Sequence, residues 1–332
     1  MAKDFSPAFD TERLAGAADL TFPKKLAFRK RSLGNLLKMG HCAPAVMKTF
    51  LDICGSADER PVRMAAGLPG GIGDTGYECG GLTAPLLFFG LRHGLRERRH
   101  GLPVVFYRGH EHCRQFLDRN GSLLCREIRG ENYRLTHCIR AVCGSPENAA
   151  SASRHDGDGA ISAGQREAYG LMYSHLEARG FHCAGNVLER LGPAWPADPR
   201  TLDAVAGYLG GTLFLGLTCS ALAAGIMALG AGLPEFENSL PRVMRMIVLM
   251  KTGGDAFADR VNRFNPIMNR GKKLAQWFAE EYGDTQCRSI TGCDFSSAAG
   301  VKRYIDTDRA GACLAISEKV AGKVRDMLLT EN

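Results

Sequence analysis

Two stretches decide how this chain folds. The first is Cys79-Gly80-Gly81-Leu82-Thr83-Ala84-Pro85-Leu86-Leu87-Phe88-Phe89-Gly90, and the second is Cys219-Ser220-Ala221-Leu222-Ala223-Ala224-Gly225-Ile226-Met227-Ala228-Leu229-Gly230. Each places a cysteine at the head of an apolar, small-residue segment. Each also follows a glycine-rich approach, with Gly70, Gly71, Gly73 and Gly76 before one and Gly207, Gly210, Gly211 and Gly216 before the other. A buried helix is the expectation for both. A thiol at a helix start faces unpaired N–H groups and the positive end of the dipole, which favour thiolate. On that local argument Cys79 and Cys219 are expected to be the low-pKa thiolates. Small residues one turn further along let another backbone or a cofactor come close.

Working outward, the rest of the chain repeats around these two points. Gly40-His41-Cys42-Ala43 is echoed by Phe181-His182-Cys183-Ala184, each followed by an apolar helical stripe. Leu124-Cys125-Arg126-Glu127-Ile128-Arg129-Gly130 is echoed by Gln286-Cys287-Arg288-Ser289-Ile290-Thr291-Gly292, and Cys313 takes the place of Cys138 after a longer spacer. Eight cysteines thus sort into two ordered quartets: Cys42, Cys79, Cys125 and Cys138, then Cys183, Cys219, Cys287 and Cys313. A repeat of this kind is the strongest evidence of architecture a sequence offers. The expected fold is mostly α, with two tandem homologous helical domains related by a pseudo-twofold. The expected boundaries are an N-terminal extension over 1–35, a first domain over 36–145, a linker over 146–165 and a second domain over 166–330. Within the first domain, Val104–Tyr107 reads as a short extended segment and His112–Arg119 as a helix. The second copy's extra residues are expected between Leu233 and Lys272. Fusing two copies makes an intrachain pseudo-dimer of what a single-copy chain would form by pairing.

Length and composition agree. The chain has 332 residues, 45% of them hydrophobic, and 12 cysteines. Residues 1–40 carry Lys24, Lys25, Arg29, Lys30 and Arg31 but no apolar core of a signal peptide. A cytoplasmic location is therefore expected, where thiols stay reduced and serve as ligands or redox groups rather than structural bridges. The net charge of +7 permits an acidic electron-transfer partner protein.

These residues resemble the C-GCAxxG-C-C family of redox-active proteins, whose members carry four cysteines and a CGAxxG signature. The resemblance covers both halves and is strongest at Cys42, at Gly70 to Gly90 and at Cys125 to Gly130. The signature is altered in each copy: Gly81 and Ala84 replace its Ala and last Gly in the first, and Ser220 and Ala224 replace its first and last Gly in the second. Every replacement is small. The resemblance implies a compact helical fold and cysteine-based redox or iron–sulfur chemistry, but no named reaction or catalytic residue. Covalent haem is not expected, since no Cys-x-x-Cys-His occurs.

Other signals weigh less. No Cys-x-x-Cys occurs, which argues against a zinc ribbon or a thioredoxin-type dithiol. Four widely spaced thiolates could hold an iron–sulfur cluster or include a reversible disulfide pair. The rival class is a non-catalytic protein that binds zinc or another thiophilic ion. His41 and His182, each just before the first cysteine of its quartet, are candidate second-shell groups or plain helix caps. Cys54, Cys113, Cys143 and Cys293 have no counterparts and read as filler. Gly71-Ile72-Gly73-Asp74-Thr75-Gly76 matches G-x-G-x-x-G, yet no strand is predicted before it, so a bound dinucleotide is not expected. His110-Glu111-His112-Cys113 is absent from the second copy and reads as a surface cluster. The uncharged run Ala204–Leu233 is interrupted by glycines and reads as buried core, not a transmembrane span. The basic runs Lys24–Arg31 and Arg92–Arg99 lack aromatic interleaving, so no nucleic-acid site is expected.

Overall fold

A computed structural model describes residues 22–94, 104–130, 134–153, 159–195, 199–233, 239–252 and 266–330. Among these residues there are sixteen α-helices and no β-strand longer than a single bridge. Residues 95–99 of the basic run Arg92–Arg99 lie outside them.

The first half contains α1 (Phe22–Met39), α2 (Cys42–Cys54), α3 (Arg60–Ala65), α4 (Gly80–His93), α5 (Val104–Asn120), α6 (Cys125–Arg129) and α7 (Leu135–Ala152). The second contains α8 (Ala163–Ala178), α9 (Cys183–Arg190), α10 (Pro199–Ala204), α11 (Ser220–Gly232), α12 (Leu240–Thr252), α13 (Pro266–Tyr282), α14 (Cys287–Thr291), α15 (Ala298–Asp306) and α16 (Arg309–Leu329). Helices α2 to α7 recur in order as α9, α10, α11, α13, α14 and α16. The longer spacers hold α12 and α15, which have no partner in the first half.

The central helices α4 and α11 are apolar all round, as a helix buried on every side must be. Their company is reciprocal: α3 of the first half packs across α11 of the second, and α10 of the second packs across α4 of the first. Both crossings are made at glycines. A methyl group at Gly90 would collide with the carbonyls of Asp203 and Ala204, and one at Gly230 with the carbonyl of Arg63. Arg63 also donates to the carbonyls of Ala231 (2.6 Å) and Leu233 (2.7 Å), satisfying the end of α11 from the other half.

The glycine-rich approach forms the same left-handed turn in both halves. Gly71, Ile72, Gly73 and Asp74 all have positive φ, as do Gly211, Thr212, Leu213 and Phe214. Matching bonds close the turns, Gly73 N–H to Gly67 O and Gly76 N–H to Gly70 O in one, Leu213 N–H to Gly207 O and Gly216 N–H to Gly210 O in the other. Non-glycine residues in that region are strained and persist only where surroundings dictate them. Each turn is held by the opposite half. His110 of α5 meets the carbonyl of Leu213 at 2.9 Å, and Lys272 of α13 pairs with the buried carboxylate of Asp74 at 3.2 Å. The G-x-G-x-x-G glycines are thus spent on packing, with no strand before them.

At the centre, Glu78 of one half meets Thr218 of the other. Its fully buried carboxylate accepts from Thr218 N–H (3.0 Å), Thr218 Oγ1 (2.5 Å) and Thr212 Oγ1 (3.2 Å). Glu78 and Thr218 each immediately precede the cysteine that opens a central helix, so this contact marks the pseudo-twofold axis.

Four local expectations are corrected. His110-Glu111-His112-Cys113, expected as a surface cluster, is buried on α5. Val104–Tyr107 is the start of α5, not an extended segment: Val105 and Phe106 are fully buried, and packing overrides their β preference. The stretch from Pro146 to Ala152, expected as linker, completes α7. It stays helical because Glu147 binds Arg29 (2.7 Å) and Arg119 (3.3 Å), Ser145 donates to Gly81 O, and Ala149, Ala150 and Ala152 are buried. Helix α8 then begins on a capping box formed by Ser162 and Gln165. Finally, residues 22–35 are not a loose extension. They belong to α1, which packs on α2 and α7.

Candidate functional site: two cysteine quartets

Each quartet is assembled from four helix starts. Cys42 and Cys183 open α2 and α9, Cys79 and Cys219 are the N-caps of α4 and α11, and Cys125 and Cys287 open α6 and α14. Cys138 and Cys313 lie near the starts of α7 and α16.

Short antiparallel bridges lock the second and third members side by side. Cys79 N–H donates to Leu123 O (2.9 Å), while Cys125 N–H donates to Tyr77 O (2.5 Å). In the second half Cys219 N–H donates to Thr285 O (2.8 Å) and Cys287 N–H to Leu217 O (2.7 Å). Gly80 allows the first member in, since a methyl group there would strike Cys42 Sγ. Gly211 does the same for Cys287, whose Cβ would lie 2.5 Å from an added methyl.

The four thiols of each half lie within electrostatic reach of one another. Burial pushes Cys79 well above the ordinary thiol range, and the neighbouring Cys125, Cys42 and Cys138 push it further. Burial likewise pushes Cys42 up to about 12, with Cys138 adding to the effect. Cys125 is raised by burial and by Cys42 and Cys138, against the positive charge of Arg129. In the second half burial raises Cys183, with Cys313 and Cys219 contributing, and raises Cys287, with Cys219, Cys183 and Cys313 contributing. Cys219 is pushed up to about 12 by burial and Cys313.

These directions overturn the expectation that Cys79 and Cys219 are low-pKa thiolates. Both do sit at helix starts, and the amides of Gly81 for one, Leu222 and Ala221 for the other, pull toward the thiolate. The dipole is a local effect worth at most about 2 kcal/mol. Desolvation of a buried charge is larger, and it wins.

The amide of Gly70 faces Cys42 and that of Gly210 faces Cys183, each favouring negative charge on sulfur. The two candidate histidines differ. His182 is a helix cap: Nδ1 accepts from Gly185 N–H at 3.0 Å and Nε2 meets Ala206 O at 3.3 Å. His41 makes no cap bond, its Nε2 has no hydrogen-bond partner among the described residues, and burial lowers its pKa to about 4.

Sequence reasoning missed one side chain. Tyr304, on the inserted helix α15, is fully buried and its hydroxyl bonds to Cys313, favouring the thiolate there. The signal was the longer spacer before Cys313, which is the insertion that brings Tyr304 in. All twelve cysteines are free thiols. Among the described residues, no three His, Cys, Asp or Glu side chains lie together closely enough to hold one metal ion. No helix there is long and apolar enough to cross a membrane.

Two sets of four cysteines, most of them buried, thus stand at matching helix starts of one duplicated helical frame. The chain belongs to the family described as "Putative redox-active protein (C_GCAxxG_C_C)", whose model matches residues 40–151 and again 181–327. A redox role in general follows from that membership. No curated protein and no solved structure matches the chain.

Proposed function

We propose that each quartet ligates an iron–sulfur cluster and that the protein carries electrons. The observation behind this reading is that the four thiols of each half act on one another electrostatically, at sites where burial disfavours free thiolate. A group that ligates thiolates supplies the missing positive charge and deprotonates them outright. Cys42, Cys79, Cys125 and Cys138 would hold one cluster, and Cys183, Cys219, Cys287 and Cys313 the other. When bound, such a cluster accepts and releases single electrons. The protein's own part is to exclude water and to aim the amides of Gly70 and Gly210 at sulfur, a known lever on cluster potential.

One observation weighs against thiol cycling. Thiol–disulfide exchange favours an accessible, low-pKa thiolate. Cys79, Cys125, Cys183, Cys219 and Cys287 are each under a tenth exposed and shifted the other way. Cys42, Cys138 and Cys313 are half-buried, which keeps thiol cycling as the second reading at those positions. We place the protein in a reducing, cytoplasmic setting, as a fused pseudo-dimer exchanging electrons with a partner.

The test is anaerobic purification followed by iron, sulfide and zinc analysis with visible absorption. Charge-transfer bands with iron and sulfide in matched amounts support the proposal, and Cys125→Ala should remove about half of both. A colourless protein with stoichiometric zinc overturns it. So does a metal-free protein that loses titratable thiols on mild oxidation.

A further inference from the structure

The chain's positive charge is concentrated on two neighbouring helices. Six of the 18 residues of α1 and three of the 13 of α12 are Lys or Arg, and neither helix contains an acidic residue. The whole chain is only +7, so everything outside these two helices is net negative. Helix α12 packs directly against α1.

Among the described residues, the same two helices carry most of the large apolar side chains left in solvent. Leu33 (40%) and Leu37 (36%) stand one turn apart on α1, on the side opposite the buried Phe28, Ser32 and Asn35. Leu240 (57%), Met244 (48%) and Val248 (56%) follow one another at helical spacing on α12, beside the buried Val243 that anchors it. Lys30, Arg31, Lys38 and Arg245 are exposed among them.

We infer that this face docks on an anionic lipid bilayer, with the aliphatic side chains entering the headgroup region and the cations meeting lipid phosphates. Helices with apolar and Lys/Arg faces lie in that plane, and clustered basic residues are drawn to anionic leaflets. A second copy of the chain is a poor occupant, because it would set two helices without acidic residues against two of the same kind. A protein partner is a poorer fit as well. Protein interfaces centre on aromatic anchors, whereas the exposed large apolar residues among the described residues of these helices are all aliphatic.

The experiment is co-sedimentation of the full-length protein with vesicles of phosphatidylcholine alone or mixed with phosphatidylglycerol. Binding is expected to the mixed vesicles at low salt, at least tenfold tighter than to phosphatidylcholine, and to weaken with added salt. Leu240→Ser with Met244→Ser, and separately Lys30→Glu with Arg31→Glu, should each lower partitioning at least fivefold. These sites are exposed, so unchanged circular dichroism and melting would confirm that the variants fold. No binding of the wild type to anionic vesicles overturns the inference. Equal binding to both vesicle types, binding unaffected by either pair of substitutions, or capture of an acidic protein by this face without vesicle binding would overturn it too.

Discussion

Replacing single glycines by alanine should stabilise the protein at one site and destabilise it at two others. Gly170 lies inside α8 with nothing within 4 Å of where a Cβ would sit, and Gly90 and Gly230 lie inside α4 and α11. At all three, alanine is the better helix former by about 1 kcal/mol. Gly170→Ala should realise most of that gain. At Gly90 the new methyl would meet two carbonyls of α10, with the Ala204 carbonyl carbon only 2.7 Å away. At Gly230 it would meet the Arg63 carbonyl, whose carbon is at 3.3 Å. The obstacle in each case is backbone, which cannot turn aside as a side chain can, so the helices must separate. Overpacking of this kind costs roughly 1–3 kcal/mol. Set against the helix gain, the expected net loss is up to about 2 kcal/mol for each variant. Thermal and urea unfolding followed by far-ultraviolet circular dichroism would read it. At about 2–4 °C per kcal/mol, the two crossing variants should melt a few degrees below the wild type and Gly170→Ala slightly above it. If Gly90→Ala and Gly230→Ala melt higher, as Gly170→Ala does, the helices do not cross closely there and the reciprocal packing of the halves is wrong.

Other expectations can be checked in the same assays. His112 is fully buried on α5 beside Phe89 and Phe116, and desolvation lowers its pKa to about 3. Its folded pKa is below the unfolded value of 6.5, so the stability it permits is whole above pH 6.5 and is lost as the pH falls below it. At about 1.4 kcal/mol per unit, about 2 kcal/mol should be gone by pH 5. His112→Leu should flatten that part of the stability curve, and an unchanged acid limb would count against the burial argument. Glu78→Ala leaves Thr218 N–H and two hydroxyls without their acceptor, and should cost about 2–3 kcal/mol in urea unfolding. A loss under about 0.5 kcal/mol would mean that the contact is not formed. Tyr304→Phe removes the hydroxyl on Cys313, so if the second quartet holds a cluster, redox titration should show its potential falling while the first stays put. Equal shifts at both sites would remove Tyr304 from the account.

The duplication was legible because it is written in spacing: Cys79 and Cys219 each follow a run of glycines and each precede a cysteine that opens a short helix. The all-helical class followed from the same pattern. What failed were inferences that stopped at the neighbours in sequence. Ser145 to Ala152 has the composition of a linker, and nothing nearby reveals that Arg29 and Arg119 will converge on Glu147 and hold it in a helix. Val104 and Val105 look extended until the core that receives Val105 is known. The thiolate argument for Cys79 treated the helix start as if it were in water, whereas the fold buries it. Gly90 and Gly230 showed themselves as small residues, but not that their reason is a carbonyl from the opposite half.

The meeting of Glu78 with Thr218 bears on how the two halves pair. In a dimer of identical subunits, a residue on the axis confronts its own copy. Two first halves would bring a buried carboxylate against a buried carboxylate, an arrangement that repels unless one takes up a proton. Two second halves would set threonine against threonine and lose the acceptor altogether. Only a pair of unlike halves can place an acid on one side of the axis and its donors on the other, so the contact ties each half to the other rather than to a copy of itself.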